Sequence, residues 1–356
     1  AAPLSAACLG ASALLTAGGG EGALHAAARA GHLEVTDFLL RARADPAAAN
    51  GRGLPPLHQL AATAAHAATA KHLLAHRADA AARDAWGRPA LRYAVGSSFR
   101  GAGLVELLLS AGALNSSQDA HADGQDALIR ASNFGHMEVV KLLVELGGVR
   151  VGMASSPGMQ ALHAAAMSGH EAIVEYLLDR GAPVRARATD LGGGGGAEPL
   201  DGAAQWCHDG VAKILLQKGA EAEGKPGLLQ PAAARGCRST VALLAAARAD
   251  MRGAGAGGRT AVHVAAAAGH AATVQLLLGL RADVEAADQE GARPLHLAAV
   301  AGHHAAAAVL VERGGADVRA MSSFGSVLGA ATRGGDLATV ELVRARLAVE
   351  GGAAGG

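Results

Sequence analysis

Apolar and polar positions along the chain follow a unit of about 33 residues that returns from one end of the sequence to the other. In the copy at residues 20–43, an alanine-rich half follows Leu24 and the pair Gly31 and His32 stands at the centre. The second half places large apolar residues three and four positions apart. This pattern predicts two short helices joined by a tight glycine turn, the second with an apolar stripe that forms the core.

Positions equivalent to Leu24 recur nine times along the chain. They are Leu57, Leu91, Leu128, Leu162, Leu200, Leu229, Val262, Leu295 and Leu328, at steps of 33, 34, 37, 34, 38, 29, 33, 33 and 33 residues. Self-similarity at this period is the signature of a solenoid in which each repeat packs only on its neighbours. The sequence therefore predicts about ten repeats.

Short motifs inside these units resemble the T-P-L-H-x-A-A consensus of ankyrin repeats. Residues 161–165 read ALHAA, residues 260–263 read TAVH and residues 294–299 read PLHLAA. The resemblance implies an all-α fold, an ankyrin-repeat solenoid of helix-turn-helix repeats joined by short β-hairpin-like fingers. We expect a degenerate half-repeat or cap at residues 1–20, the repeat domain at residues 21–348 and a Gly/Ala-rich tail at residues 349–356.

The period is disturbed at three places. Extra residues separate the helices of the third repeat around residues 96–103, and five consecutive glycines precede the sixth repeat at Gly192–Gly196. The following step is only 29 residues, so one finger is shortened. We expect the least regular stacking between about residues 180 and 230. Phe38 and Tyr176 are predicted to occupy core positions of their second helices.

Composition and charge narrow the partner class. The chain has 31 basic and 31 acidic residues and no Lys/Arg block, which argues against nucleic acid and anionic membranes. No apolar run reaches the length of a membrane span. We expect protein partners, no nucleic acid, no membrane span, no small-molecule substrate, no cofactor and a monomeric state.

The three cysteines, Cys8, Cys207 and Cys237, form no framework. Cys207 and Cys237 occupy similar places in adjacent repeats, and packed helices lie ~8–10 Å apart, whereas a disulfide tolerates a Cα separation of ~7 Å. We therefore expect reduced thiols and a cytoplasmic location, with the nucleus as a second location.

Sixteen histidines raise the question of metal or acid–base chemistry. Ten fall on two repeat positions, after the motif leucine or valine or after the turn glycine, where the family resemblance implies structural hydrogen bonds. Two more belong with them: His208 takes the second position behind Cys207, and His66 lies one residue out of register behind Ala65. The open metal candidates are the group His66, His72 and His76 and the doublet at residues 303–304, but no Cys-x-x-Cys accompanies them. No nucleophile motif is present, and Gly192–Gly196 lacks the ending of a phosphate loop, so we expect no enzyme.

In ankyrin proteins the partner usually binds the concave face, which consists of the finger tips and the last exposed positions of the first helices. By resemblance, we assign contact positions to ten residues of this chain: Trp86, Phe99, Asn133, Phe134, Met167, Gln205, Trp206, Arg235, Phe324 and Arg333. Five of the eight aromatic residues fall on such positions. We expect a contact patch along repeats three to six, because aromatic anchors dominate interface energies.

The function that the resemblance implies is protein binding as a scaffold, adaptor or targeting subunit. An alternative is the substrate-recognition arm of a larger enzyme, a kinase or ubiquitin-ligase subunit whose catalytic part is not in this chain. A third is a metal-buffering or redox role for the histidines and cysteines. The sequence lacks an initiator methionine and ends in GGAAGG, which leaves a fragment of a longer protein as an open possibility.

Overall fold

The computed structural model describes residues 16–17, 21–63, 66–96, 101–114, 119–154, 158–188 and 196–352. These residues contain twenty α-helices that follow one another in ten pairs. The chain divides into two compact units, Ala1–Ala197 and Glu198–Gly356. Each unit holds five helix pairs, and the division falls inside the stretch where the sequence predicts the least regular stacking.

The first described elements of the first unit are β1 (Thr16–Ala17) and β2 (Glu21–Gly22), which pair as a short antiparallel hairpin. Its helices are α1 (Ala23–Ala30), α2 (Leu33–Arg41), α3 (Pro56–Thr63), α4 (Ala67–Ala75), α5 (Ala90–Gly96), α6 (Ala102–Ser110), α7 (Ala120–Phe134), α8 (Met137–Glu145), α9 (Ala161–Ser168) and α10 (Glu171–Asp179).

In the second unit, β3 (Met321–Ser322) and β4 (Gly325–Ser326) pair as a short two-stranded sheet. Its helices are α11 (Pro199–Trp206), α12 (Asp209–Gln217), α13 (Leu229–Ala234), α14 (Arg238–Ala246), α15 (Ala261–Ala267), α16 (Ala271–Gly279), α17 (Pro294–Val300), α18 (His304–Glu312), α19 (Val327–Gly334) and α20 (Leu337–Gly352). A 3₁₀ turn at Ala256–Gly258 precedes α15.

Within each unit the helices form two layers. First helices contact the first helices of the neighbouring repeats, and second helices contact second helices. The motif leucines anchor the first layer, since nine of the ten predicted positions, Leu24 to Leu295, are at most 6% exposed. The small alanines beside them allow close helix contact, which explains how a chain with 2% aromatic residues builds a core.

The second helices bury a narrow stripe of about three residues each. In α16 these are Thr273, Val274 and Leu277, all at most 1% exposed. The predicted core positions of Phe38 and Tyr176 are wrong. Phe38 is 42% exposed, and half-buried Tyr176 donates a hydrogen bond to Glu145 at 3.1 Å. Each of these helices has nine residues, and only about three of them face the neighbouring helices. Phe38 and Tyr176 lie beside those buried positions.

The predicted hairpin fingers are confirmed at residues 84–88 and 288–292. At each tip the first residue, Asp84 or Asp288, accepts backbone N–H bonds from two and four residues later. Neighbouring fingers also bond to each other, as in Ala85 N–H to the Gly53 carbonyl at 3.1 Å. The fourth repeat departs from this plan, because α7 extends over 15 residues and begins eight positions before Leu128.

The predicted structural role of the histidines after the motif leucine is confirmed. Nε2 of His25, His58, His163, His263 and His296 lies 3.0–3.2 Å from a carbonyl oxygen of the following finger segment. The second histidine position also ties repeats together. His170 and His270 place Nε2 3.0 Å from the carbonyl oxygens of residues 133 and 234, in the preceding repeat.

Cys207 and Cys237 form a disulfide with a Cα–Cα distance of 5.7 Å. The prediction of reduced thiols is therefore wrong for this pair, and these cysteines no longer support a cytoplasmic location. The distance between helix axes was the wrong measure, since neither cysteine lies inside a helix. Cys207 ends α11 in the left-handed conformation, at φ 65°, and Cys237 directly precedes α14.

The same two positions are filled by glycine and histidine in other repeats. The turn glycine of one repeat contacts the histidine ring of the next, so that a Cβ on Gly236 would lie 2.7 Å from Nδ1 of His270. A Cβ on Gly269 would lie equally close to His303. Cys207 takes the glycine position and Cys237 the histidine position. The disulfide thus replaces a glycine–histidine contact between stacked turns.

Candidate protein-binding surface

Two predicted contact residues of the first unit expose large aromatic side chains. Trp86, at the tip of the third finger, is 58% exposed, and Phe134, the last residue of α7, is 49% exposed. Asn133 is exposed, and its Oδ1 accepts a hydrogen bond from Ser168 at 3.0 Å. Met167 is half-buried. Phe99 lies outside the described residues.

A network around Asp84 holds the finger tip beside Trp86. Oδ1 of Asp84 accepts the N–H groups of Trp86 and Arg88, while Oδ2 accepts Tyr93 Oη at 2.6 Å and Arg88 Nε at 3.1 Å. The Arg88 guanidinium lies 4.4 Å from the Trp86 ring centre and 5.1 Å from that of Tyr93. These cation–π contacts orient the exposed tryptophan.

The electrostatics of this network favour the ionised carboxylate. Burial alone would raise the pKa of Asp84, but the hydrogen bonds from Tyr93 and from the finger N–H groups, together with the Arg88 charge, hold that pKa below its usual value. Burial and the hydrogen bond to Asp84 raise the pKa of Tyr93 to about 12. Tyr93 therefore remains a neutral donor throughout the physiological range.

Two further arginines extend this surface. Arg92 Nη1 and Arg130 Nε contact the same oxygen of Asp126, at 2.6 and 2.8 Å. Together with Arg88, they line an open cavity of about 280 Å³. We call it the arginine cavity, and its walls are Ala62, Arg88, Arg92, Tyr93, Gly96 and Arg130.

The residues of this cavity were not predicted from the sequence. Tyr93 and Arg130 each lie two positions after a motif leucine, at the variable x of the L-H-x-A-A pattern. In the third repeat this position contacts the finger, through Tyr93 and Asp84, so a charged or aromatic residue there was the available signal. Arginine and tyrosine are both enriched at protein interfaces.

In the second unit, Trp206 and Arg235 form a stacked pair. The Arg235 guanidinium lies 4.2 Å from the centre of the Trp206 ring, and the indole is 44% exposed. Gln205 is exposed beside it on α11. Trp206 directly precedes Cys207, and Arg235 lies two residues before Cys237. The disulfide therefore fixes the two turns that carry this pair.

The remaining predicted contact residues, Phe324 and Arg333, interact with each other. Phe324 is half-buried in the hairpin turn between β3 and β4, and its carbonyl oxygen accepts a hydrogen bond from Arg333 Nη2. Met321, on the same hairpin, is 67% exposed. This finger tip thus presents methionine more openly than phenylalanine.

Within the part of the chain that the structure describes, no group of three or more His, Cys, Asp or Glu residues is arranged to hold a metal ion. His76 Nε2 instead lies 3.9 Å from Asp37 Oδ1. Over the same residues, no helix combines the length and the hydropathy needed to cross a lipid bilayer.

Stacked helix pairs with hydrogen-bonded fingers and histidine-linked turns define a helical repeat protein. The family model of ankyrin repeats matches residues 24–119, 98–190, 156–225 and 229–322. The chain belongs to the ankyrin repeat family. Ankyrin repeats are generally protein–protein interaction modules, and the proteins that carry them are typically non-catalytic.

Individual relatives match only part of the chain. The Notch-regulated ankyrin repeat-containing protein B of Danio rerio is 45% identical over 58 residues, which is 16% of this chain and 51% of that protein. The human Notch-regulated ankyrin repeat-containing protein is 43% identical over the same length and is 50% covered. The chain thus spans about half the length of the curated relatives it matches.

Among solved structures, the human ASB11 ankyrin repeat domain is similar to this chain. The two share 25% sequence identity at a TM-score of 0.54, and the match covers 61% of this chain and 96% of the other. This likeness supports the ankyrin architecture of the chain.

Proposed function

We propose that this chain is a non-catalytic adaptor or targeting module that binds a protein partner through its finger tips and the ends of its first helices. One observation carries the proposal. Trp86, Phe134 and Trp206 are 58%, 49% and 44% exposed at these positions, in a chain with only 2% aromatic residues. Exposed tryptophan and phenylalanine have little structural reason to occupy these places, whereas interfaces use them as anchors.

The anchors are held in place before a partner arrives. Trp86 is oriented by Arg88 and the Asp84 network, and Trp206 is stacked under Arg235 beside a disulfide. A partner therefore loses less free energy in ordering side chains than it would on a flexible surface. The affinity arises from burial of the aromatic faces and from new hydrogen bonds to the arginines.

The proposal is tested by affinity capture from a lysate of the source cells, followed by mass spectrometry. The wild type is compared with a Phe134→Ala, Trp206→Ala double variant. A matched control, Leu146→Ala with Leu280→Ala, removes one exposed apolar side chain from the end of a second helix in each unit; these side chains are 49% and 39% exposed. Circular dichroism confirms that all three proteins keep their helices.

The expected result is a protein that the wild type and the control retain and the double variant loses. Anchors of this kind contribute ~2 kcal/mol or more each, so the loss in affinity should be readily measurable. A partner retained equally by all three proteins would place binding on another face. A partner lost by the control alone would move the site to the second helices.

A further inference from the structure

We propose that the arginine cavity is the subsite for a side-chain carboxylate of the partner, so that the first unit recognises an acidic peptide segment. This inference rests on the proposed function and names the chemistry of its partner. The cavity is open, about 280 Å³ in volume, and lined by Arg88, Arg92 and Arg130 with Tyr93 between them. The described lining residues include no carboxylate, although each arginine contacts one outside the lining.

These carboxylates leave N–H donors of the arginines for a ligand. Arg88 uses Nε on Asp84, Arg92 uses Nη1 on Asp126, and Arg130 uses Nε on Asp126. A guanidinium has five N–H donors, so each arginine keeps N–H groups beyond these bonds. About a third of each arginine side chain is exposed, at 36%, 35% and 33%. These ion pairs hold the guanidinium groups in position, which favours bidentate binding of a planar anion.

The charge of the site selects the anion. Three arginines and two aspartates, Asp84 and Asp126, give +3 and −2, a net charge of +1. The nearby Asp119 and Asp123 pair with Arg83; this group carries a net charge of −1 and is not part of the lining. One carboxylate neutralises a net charge of +1, whereas a phosphate of charge about −2 would exceed it. A polyanion such as nucleic acid fits this surface less well, because aspartates already neutralise most of the arginine charge.

The surroundings of the cavity indicate what should flank the carboxylate. Arg88 connects the cavity to the exposed Trp86 ring at 4.4 Å. Arg130 and Phe134 are four residues apart on α7 and therefore lie on one face of that helix. An aromatic or aliphatic side chain next to the acidic residue would contact one of these rings. The occupant is thus an acidic residue with apolar neighbours in an exposed segment of a protein.

The test uses the full chain and pools of short fluorescein-labelled peptides with randomised apolar flanks. The pools differ only in the central residue, which is glutamate, glutamine, phosphoserine or lysine. Binding is measured by fluorescence polarisation, and the best glutamate peptide is then titrated individually. We expect that peptide to bind at least about tenfold more tightly than its glutamine counterpart, because the glutamine lacks the charge that the arginines complement.

Three variants connect this binding to the cavity. Arg92→Gln with Arg130→Gln removes two positive charges and their bidentate donor geometry, and it should weaken binding of the glutamate peptide by at least about tenfold. Ala62→Phe fills the cavity from an exposed position at the end of α3 without changing any charge, and it should weaken binding similarly. The control is Arg180→Gln, because Arg180 also pairs with a carboxylate, Glu145, and lies 4.8 Å from a tyrosine ring, Tyr176.

Several results would overturn the inference. They are equal binding of glutamate and glutamine peptides, tighter binding of phosphoserine peptides, displacement by a single-stranded oligonucleotide, unchanged affinity in the cavity variants, or binding by no pool. If no peptide binds but the Phe134→Ala, Trp206→Ala variant still loses a captured partner, only the proposed carboxylate subsite is rejected and the proposed function is retained. If both experiments fail, the proposed function falls too.

Discussion

The histidine after the motif leucine connects two repeats at their boundary. Nδ1 of His263 accepts the Thr260 N–H at 3.2 Å, and its Nε2 lies 3.0 Å from the Ala292 carbonyl oxygen. Only the neutral tautomer with hydrogen on Nε2 satisfies both contacts. Burial is the main cause that lowers the pKa values of His58, His263 and His296, against the opposing effect of the carbonyl acceptors.

These lowered pKa values predict that the protein loses stability in mild acid. As the pH falls through 6.5, the ordinary histidine value, the unfolded chain takes up protons that the folded chain does not. The free energy of unfolding should therefore decrease between pH ~7 and ~5. Urea unfolding at several pH values measures it.

A substitution at one of these histidines should reduce that pH dependence. Gln230 fills the same position in the seventh repeat and donates to the carbonyls of Gly253 and Arg259, so His263→Gln can keep the hydrogen bond without a titrating group. The control is His121→Gln, at an exposed position of α7. Equal pH slopes in wild type and His263→Gln would contradict the assignment.

The disulfide leads to a second prediction at the scale of single residues, which concerns thermal stability. Its cysteines are 30 positions apart, and a closed loop of about that length is expected to stabilise the fold by about 3–4 kcal/mol relative to an open chain. A reductant should therefore lower the thermal midpoint of the wild type. The double variant Cys207→Gly, Cys237→His restores the contact of the other repeats and should respond to no reductant. A wild type that is equally insensitive would show that the bond does not form.

At the scale of the helix, stability resides in the buried stripe of each second helix. Leu277 is fully buried in α16, between the second helices of the adjacent repeats. Leu277→Ala should lower the free energy of unfolding by ~2–5 kcal/mol, the cost of a cavity at a buried leucine. Leu280→Ala, just beyond the same helix, removes a side chain that is 39% exposed and should cost ~0.5 kcal/mol or less. Chemical denaturation compares the two, and similar losses would contradict this burial pattern.

Helix pairs, finger turns and histidine contacts could be predicted from the sequence because each repeats with the period. Leu162, for example, follows the same rule as Leu128 and Leu295 and is buried like them. The long first helix of the fourth repeat could not be predicted in this way. Among the described repeats, this is the one in which extra helical turns replace the finger. The repeat motif around Leu128 contains no information about residues 120–127, so it could not predict them as helix.

The candidate surface was predicted only in part, for a physical reason. Trp86, Phe134 and Trp206 are visible as aromatics at exposed repeat positions. The Asp84–Arg88–Tyr93 network depends on side-chain contacts within one finger and helix, which no spacing rule describes. The disulfide depends on the close approach of two turns at a Cα distance of 5.7 Å, which the separation of helix axes does not reveal.

At the scale of the whole molecule, the chain divides into two units, and the described residues of each form five helix pairs. A repeat contacts its nearest neighbours, so a stack of at least about three repeats can be stable by itself. Residues 21–197 and 198–352 should therefore each fold when expressed alone, with helical circular dichroism and a cooperative thermal transition. A fragment that begins at residue 209 lacks α11 and should be less stable than residues 198–352. Unfolded fragments at both cuts would contradict the division.

The contact between stacked turns also limits the order in which mutations could have produced the disulfide. A cysteine in the glycine position needs the left-handed conformation, which costs ~1–2 kcal/mol, and its Cβ would meet a histidine ring like that of His270. A chain with Cys207 opposite a histidine should thus be the least stable of the four combinations at positions 207 and 237. An ancestor with glycine and histidine could reach the present pair most easily through the histidine-to-cysteine change first. The stability cost of Cys207 opposite a histidine thus makes the order of the two changes unequal in free energy.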